Sequence, residues 1–139
     1  MADMTALLAI AALMTGPDYA ASPWETPTTA VTLTGRASYY RPGLMRSVQH
    51  YRGIELEPGQ VCVALNRKGD LGRDVWIGHR GAWYRAVSCD CAQKGHYPAR
   101  LAGGYVVEVP FWLAEDWGMA GVGPVDVEVR FTEPERIQE

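Results

Sequence analysis

The stretch GPVDVEVRF, Gly123–Phe131, alternates without a break. Val125, Val127, Val129 and Phe131 fall on one side, and Asp126, Glu128 and Arg130 on the other. Strict period two with the charges on one side marks a β-strand that buries one face and wets the other. The three charges are read as solvated surface and assigned no chemistry.

Upstream segments carry the same short-strand grammar. Tyr105–Val109 (YVVEV) reads as a strand, and Pro110 suits the first position of a helix running to about Trp117, with Gly118 as its stop. Asp74–Gly78 and Ala82–Asp90 read as two strands joined by His79-Arg80-Gly81 in a hairpin. Val61–Asn66 and Val31–Tyr40 complete a set of six, the latter closed by Arg41-Pro42-Gly43. Leu44–Tyr51 reads as a helical turn or a loop, and the residues between Asp90 and Tyr105 as a long loop. A chain of 139 residues with 15 Gly and 9 Pro suits one domain of short strands and turns. Six strands with one helix before the last point to a small closed or nearly closed barrel. The barrel domain is expected over 31–133, with a leader and linker over 1–30 and a polar tail over 134–139.

The ends and the charge bound the partners. A net charge of −3 leaves no basic footprint for nucleic acid. No apolar run approaches the roughly 20 residues of a membrane span. Leu7–Met14 resembles the core of a secretory signal, and Ala20-Ala21-Ser22 offers small residues for cleavage, but no Lys or Arg precedes Arg36. An export signal, a short helix and a disordered leader all stay open there.

Three cysteines allow one disulfide and one free thiol. Cys62 bonded to either Cys89 or Cys91 would require an oxidising compartment. Cys89, Cys91 and His96 lack the paired knuckles of a zinc module, so no metal and no cofactor is expected.

Two carboxylates have neighbours unlike those of an ordinary surface charge. Asp90 follows the apolar run that ends a strand, and Glu108 sits inside YVVEV, flanked by Val107 and Val109. Glu108 is either an outward surface residue or part of a groove wall. In a groove, partial desolvation would raise its pKa toward the range useful for a general acid.

Taken in order, GRASYY (Gly35–Tyr40), CVALN (Cys62–Asn66), DCA (Asp90–Ala92), Glu108-Val109, Trp117-Gly118-Met119 and GPVDVEV (Gly123–Val129) form a series. That series resembles the double-psi β-barrel group of RlpA-like lytic transglycosylases, expansin-like proteins and barwin-like domains. The resemblance spans about Thr34–Phe131 and implies a mainly β fold: a small six-stranded double-psi β-barrel with one or two short helices.

In that group a hydroxyl residue and two acids line a polysaccharide groove. The resemblance assigns those places to Ser38, Asp90 and Glu108, with Glu108 as general acid/base and the other two orienting the sugar. Two departures stand out. The family's second acid is usually Asp in a D-L-S stretch, whereas Glu108-Val109-Pro110 stands here, moving the carboxyl by roughly one C–C bond. The Asn-Gly-Glu stretch of RlpA-like members is missing. By the barwin-like pattern Cys62 pairs with Cys91, clamping the strand end beside Asp90 and leaving Cys89 as a buried spare thiol.

Sugar faces stack on flat rings. Trp76, Trp83, Tyr84, Tyr97 and Trp112 are candidates, with Tyr39 and Tyr40 beside Ser38. Core packing is the commoner role for any one of them. Tyr40, Trp83 and Tyr97 are the choice for the groove, with His96 in the adjacent loop.

The resemblance therefore implies a monomeric protein active on cell-wall polysaccharide, peptidoglycan or another glycan, extracytoplasmic or virion-associated. It would bind glycan strands and cleave them in the manner of a lytic transglycosylase. The alternatives are a non-catalytic wall-loosening module, or a structural accessory of a phage particle or secreted complex, because barrels of this kind are reused for unrelated tasks.

Overall fold

The alternating valines of Val125–Arg130 close a barrel. In the computed structural model, which describes residues 22–135, six strands form one closed sheet. Residues 1–21 of the leader and linker expected over 1–30, and 136–139 of the polar tail, lie outside the described residues. The strands are β1 (Thr32–Tyr39), β2 (Val61–Leu65), β3 (Asp74–His79), β4 (Ala82–Cys91), β5 (Tyr105–Val109) and β6 (Val125–Arg130). Around the barrel they run β1-β5-β2-β4-β3-β6. The pairs β1/β5 and β2/β4 are parallel, and the remaining pairs are antiparallel.

Every strand sends alternate apolar residues inward. Val63, Leu65, Ile77, Val107, Val109 and Val129 are all at most 1% exposed. Leu113, Trp117 and Met119, in and just after a short helix, join the same core. Fully burying each such side chain is worth about 1.5–3 kcal/mol, so the interior dominates the stabilisation. The β3–β4 hairpin turns on Arg80 and Gly81, both at positive φ, as the two-residue primed turn demands.

Three α-helices accompany the strands, one more than the one or two expected: α1 (Leu44–Arg52), α2 (Tyr97–Ala102) and α3 (Phe111–Asp116). The addition is α2, in the segment read as a long loop. Helix α1 lies outside the barrel, where Met45 packs with Tyr40, Cys62, Ala64, Val87 and Cys89 in a second buried cluster. None of the helices among the described residues is long and apolar enough to cross a membrane.

The disulfide joins Cys62 to Cys89, and Cys91 is the free thiol, which corrects the expected Cys62–Cys91 clamp. The physical reason is register. Cys62 stands level with Val87, and Cys89 is the next cysteine along β4, with 5.4 Å between Cα atoms. Cys91 stands level with Leu65, three residues beyond Cys62, or roughly 10 Å along the strand. That exceeds the span of a disulfide.

The segment Ser22–Thr29, read as linker or arm, is tied to the barrel. Buried Asp70 accepts hydrogen bonds from the Thr28 amide at 2.8 Å and hydroxyl at 2.6 Å, and pairs with Arg73. Trp24 donates its indole N–H to the Ala92 carbonyl at 2.8 Å. Gly69 permits the close approach, since a Cβ there would meet Thr26 and Pro27 backbone atoms at 2.3 and 2.5 Å.

Candidate functional site

A single row of residues crosses four neighbouring strands. Ser38 on β1 pairs with Glu108 on β5, Glu108 pairs with Ala64 on β2, and Ala64 pairs with Asp90 on β4. Asp90 joins that row through an irregularity. Val63 stands opposite Ser88 but Ala64 opposite Asp90, so β4 carries one extra residue, Cys89. Plain alternation from Ala86, which faces the core, would point Asp90 inward as well. The bulge turns it to the outer face, and the disulfide at Cys89 fastens the bulged residue.

The row forms part of an open groove of about 720 Å³. Asp90 and Glu108 both line it, with Tyr39, Tyr40 and Tyr105 as its aromatic residues. Strand spacing sets the Cα atoms of the two acids roughly 10 Å apart, two strands across the sheet. Arg41 and Leu44, leading into α1, and Ala99 and Arg100 on α2 complete opposite sides.

The two carboxylates live in different surroundings. Asp90 is 15% exposed, and both its oxygens are engaged. Oδ2 accepts from the Tyr40 hydroxyl at 2.5 Å, and Oδ1 from the Arg52 guanidinium at 2.9 Å. Burial, then the hydrogen bond and charge of Asp90, push the Tyr40 phenol far above its ordinary value, so it stays a donor. The Arg52 guanidinium is likewise held charged by Asp90.

Glu108 is 30% exposed, and its nearest salt-bridge contact is Arg100 at 4.0 Å. Among the described residues it has no side-chain hydrogen-bond partner. Burial raises its pKa above the ordinary carboxyl value, the Asp90 charge adds to the rise, and Arg100 opposes it. A carboxyl of this kind can hold a proton and release it, which a fully paired one cannot do cheaply.

Arg100 links the groove floor to α2. Its guanidinium donates to Asn66 Oδ1 at 2.6 Å and to Ser38 Oγ at 3.1 Å, and sits 5.1 Å from the Tyr105 ring centroid. Asn66 is itself held by the Tyr105 carbonyl at 2.7 Å. Ser38 thus presents a hydroxyl oriented by Arg100, beside Glu108.

Of the residues named from the sequence, Asp90, Glu108, Tyr40 and His96 line this groove, and Ser38 adjoins it through Arg100. Trp83 and Tyr97 do not line it, contrary to expectation. Trp83 borders a separate hollow at the β3–β4 hairpin with Gly78 and Glu128. Tyr97 opens α2 and is buried. Arg41, Arg100, Tyr105 and Cys91 line the groove without a signal in the sequence, and the pairing of Arg52 with Asp90 likewise arises from the fold. The Cys91 thiol is pushed upward by burial first and then by Asp90, against Arg52 and Lys68, so it stays protonated near neutrality.

The chain matches no protein-family model, and a search of the curated proteins finds no match for it either.

Proposed function

We propose that the groove is a glycan site and that this is a cell-wall polysaccharide-active protein in which Glu108 exchanges a proton with a glycosidic oxygen. The observation that carries the reading is Glu108 itself: a partly desolvated carboxyl of raised pKa, with no side-chain hydrogen-bond donor among the described residues, in an open groove. Tyr39 and Tyr105, partly exposed in the groove, are the rings a sugar would meet, while buried Tyr40 holds Asp90.

In the proposed reaction the protonated Glu108 gives its proton to the bridging oxygen as the anomeric C–O bond breaks. The resulting carboxylate takes the proton of the sugar's own primary hydroxyl, whose oxygen bonds to the anomeric carbon. An anhydro ring forms and no water is consumed. One acid that changes roles suffices. Asp90, with both oxygens engaged, orients Tyr40 and Arg52 and takes no proton. Ser38 and Arg100 would contact sugar hydroxyls.

Two features support the finer assignment to the double-psi β-barrel group, with RlpA-like and expansin-like members. There are two parallel strand pairs, and each has one extra residue in its later strand, Val106 in β5 and Cys89 in β4. The disulfide suits an extracytoplasmic or virion location. The full engagement of Asp90 favours a second reading, an expansin-like module that grips the glycan without cutting it.

Purified peptidoglycan incubated with the protein separates these readings. Soluble anhydro-terminated fragments, detected by mass spectrometry, support cleavage. Retention on the polymer without soluble products supports gripping alone. Neither retention nor products would overturn the glycan site.

A further inference from the structure

Next to the acidic groove lies a second hollow of about 440 Å³, bordered by α1 and the start of α3. Its lining includes Arg41, Arg46, Met45, Phe111 and Trp112, and contains no Asp or Glu. Trp112 is 52% exposed there. Arg41 and Arg46 are exposed, and among the described residues neither forms an ion pair or a side-chain hydrogen bond.

The two hollows are neighbours. Arg41 lines both, and Tyr39 of the first meets Phe111 of the second with ring centroids 5.8 Å apart. A chain molecule lying over Glu108 would reach the second hollow by passing Arg41. Among the side chains lining the two hollows, the cations Arg41, Arg46 and Arg100 outnumber the acids Asp90 and Glu108, and Arg52 is bonded to Asp90. This face is therefore net cationic on a chain of net charge −3. A ligand drawn to it would carry negative charge.

We infer that the hollow of Arg41, Arg46 and Trp112 is a subsite for a carboxylate-bearing sugar unit of the glycan strand. The indole would stack on the ring face, while the two guanidiniums would take the carboxylate. Arg suits this role because its planar fork matches carboxylate geometry. The inference rests on the glycan reading above and narrows it. A strand of neutral sugars would leave both guanidiniums without partners, whereas a strand whose amino sugars carry lactyl ether carboxylates would satisfy them.

The test uses the full chain as the Glu108→Gln variant, so that binding is read without cleavage. Its ligands are peptide-free peptidoglycan strands with the lactyl carboxylates intact, and the same strands with those groups reduced to alcohols. The inference predicts that the intact strands bind about tenfold more tightly at low salt, the effect of one charge-assisted contact. Added salt should erode that preference. The further pair Arg41→Gln and Arg46→Gln, on an exposed surface that tolerates the change, should abolish the preference, the loss of affinity falling on the intact strands. Trp112→Ala should weaken both ligands. Equal binding of intact and reduced strands, or a preference that survives loss of both arginines, overturns the carboxylate subsite and leaves the glycan groove standing. No binding of either strand would instead overturn the glycan reading itself.

Discussion

Asp90 and Glu108 flank the same residue, Ala64, from the two strands on either side of β2. One acid is fully engaged by Tyr40 and Arg52, while the other has only Arg100 at 4.0 Å. Two acids paired with one alanine thus have different surroundings, one fully engaged and one largely unpartnered among the described residues. The difference comes from the partners: Tyr40 just after β1 and Arg52 on α1 hold Asp90, while α2 brings only Arg100 toward Glu108.

Glu108 should make stability depend on pH in a definite direction. Its folded pKa lies above the ordinary 4.5, with burial as the leading cause. Below that ordinary value both folded and unfolded chains are protonated, and nothing is lost. As pH rises through the raised folded value, the native state must carry a partly buried charge and stability falls. Thermal melts across the acidic to neutral range should show the wild type losing ground to Glu108→Gln as pH rises. A difference that stays constant, or grows toward acid, would contradict the assignment.

Tyr40→Phe removes the donor to Asp90 while keeping the ring. The carboxylate, 15% exposed, then has Arg52 alone. Denaturant unfolding should show a loss of about 1–3 kcal/mol. An unchanged midpoint would mean that the hydrogen bond contributes nothing.

The thiols offer a sharp count. Of the three cysteines, only Cys91 should react in denatured, unreduced protein. Cys91→Ser should leave no reactive thiol, whereas Cys89→Ser should leave two. The bond encloses a sequence separation of 27, so its loss should cost about 3–4 kcal/mol in the chain-entropy account. A Cys91→Ser protein that titrates two thiols would refute the pairing.

Gly69→Ala tests the strap. Its Cβ would overlap the Thr26–Pro27 backbone, displacing Thr28 from Asp70. A loss of about 1–3 kcal/mol is expected, with faster proteolysis within residues 22–29. Unaltered proteolysis would show that the strap does not depend on this contact.

Six strands and the helix after Pro110 were legible because alternation, turn residues and a proline at a helix start are local signals. Helix α2 left such signals too, in Pro98 near its start and Gly103-Gly104 at its end, and these were passed over inside a presumed loop. The bulge at Cys89 was not legible. One extra residue in β4 is a matter of pairing with β2, and no pattern within Val87–Cys91 announces it. That bulge decided both the cysteine partner and the face to which Asp90 turns. The aromatics failed for a related reason: Trp83 sits at the hairpin end of β4 and Asp90 at the other, so one strand serves two different hollows.

The central claim is that Glu108 cycles a proton during glycan cleavage. The direct measurement is the rate at which the wild type and Glu108→Gln release anhydro-terminated fragments from purified peptidoglycan, followed against pH. The account predicts release by the wild type that declines as pH rises through the raised Glu108 value, and none from the Gln variant at any pH. Release by the Gln variant at the wild-type rate would contradict it.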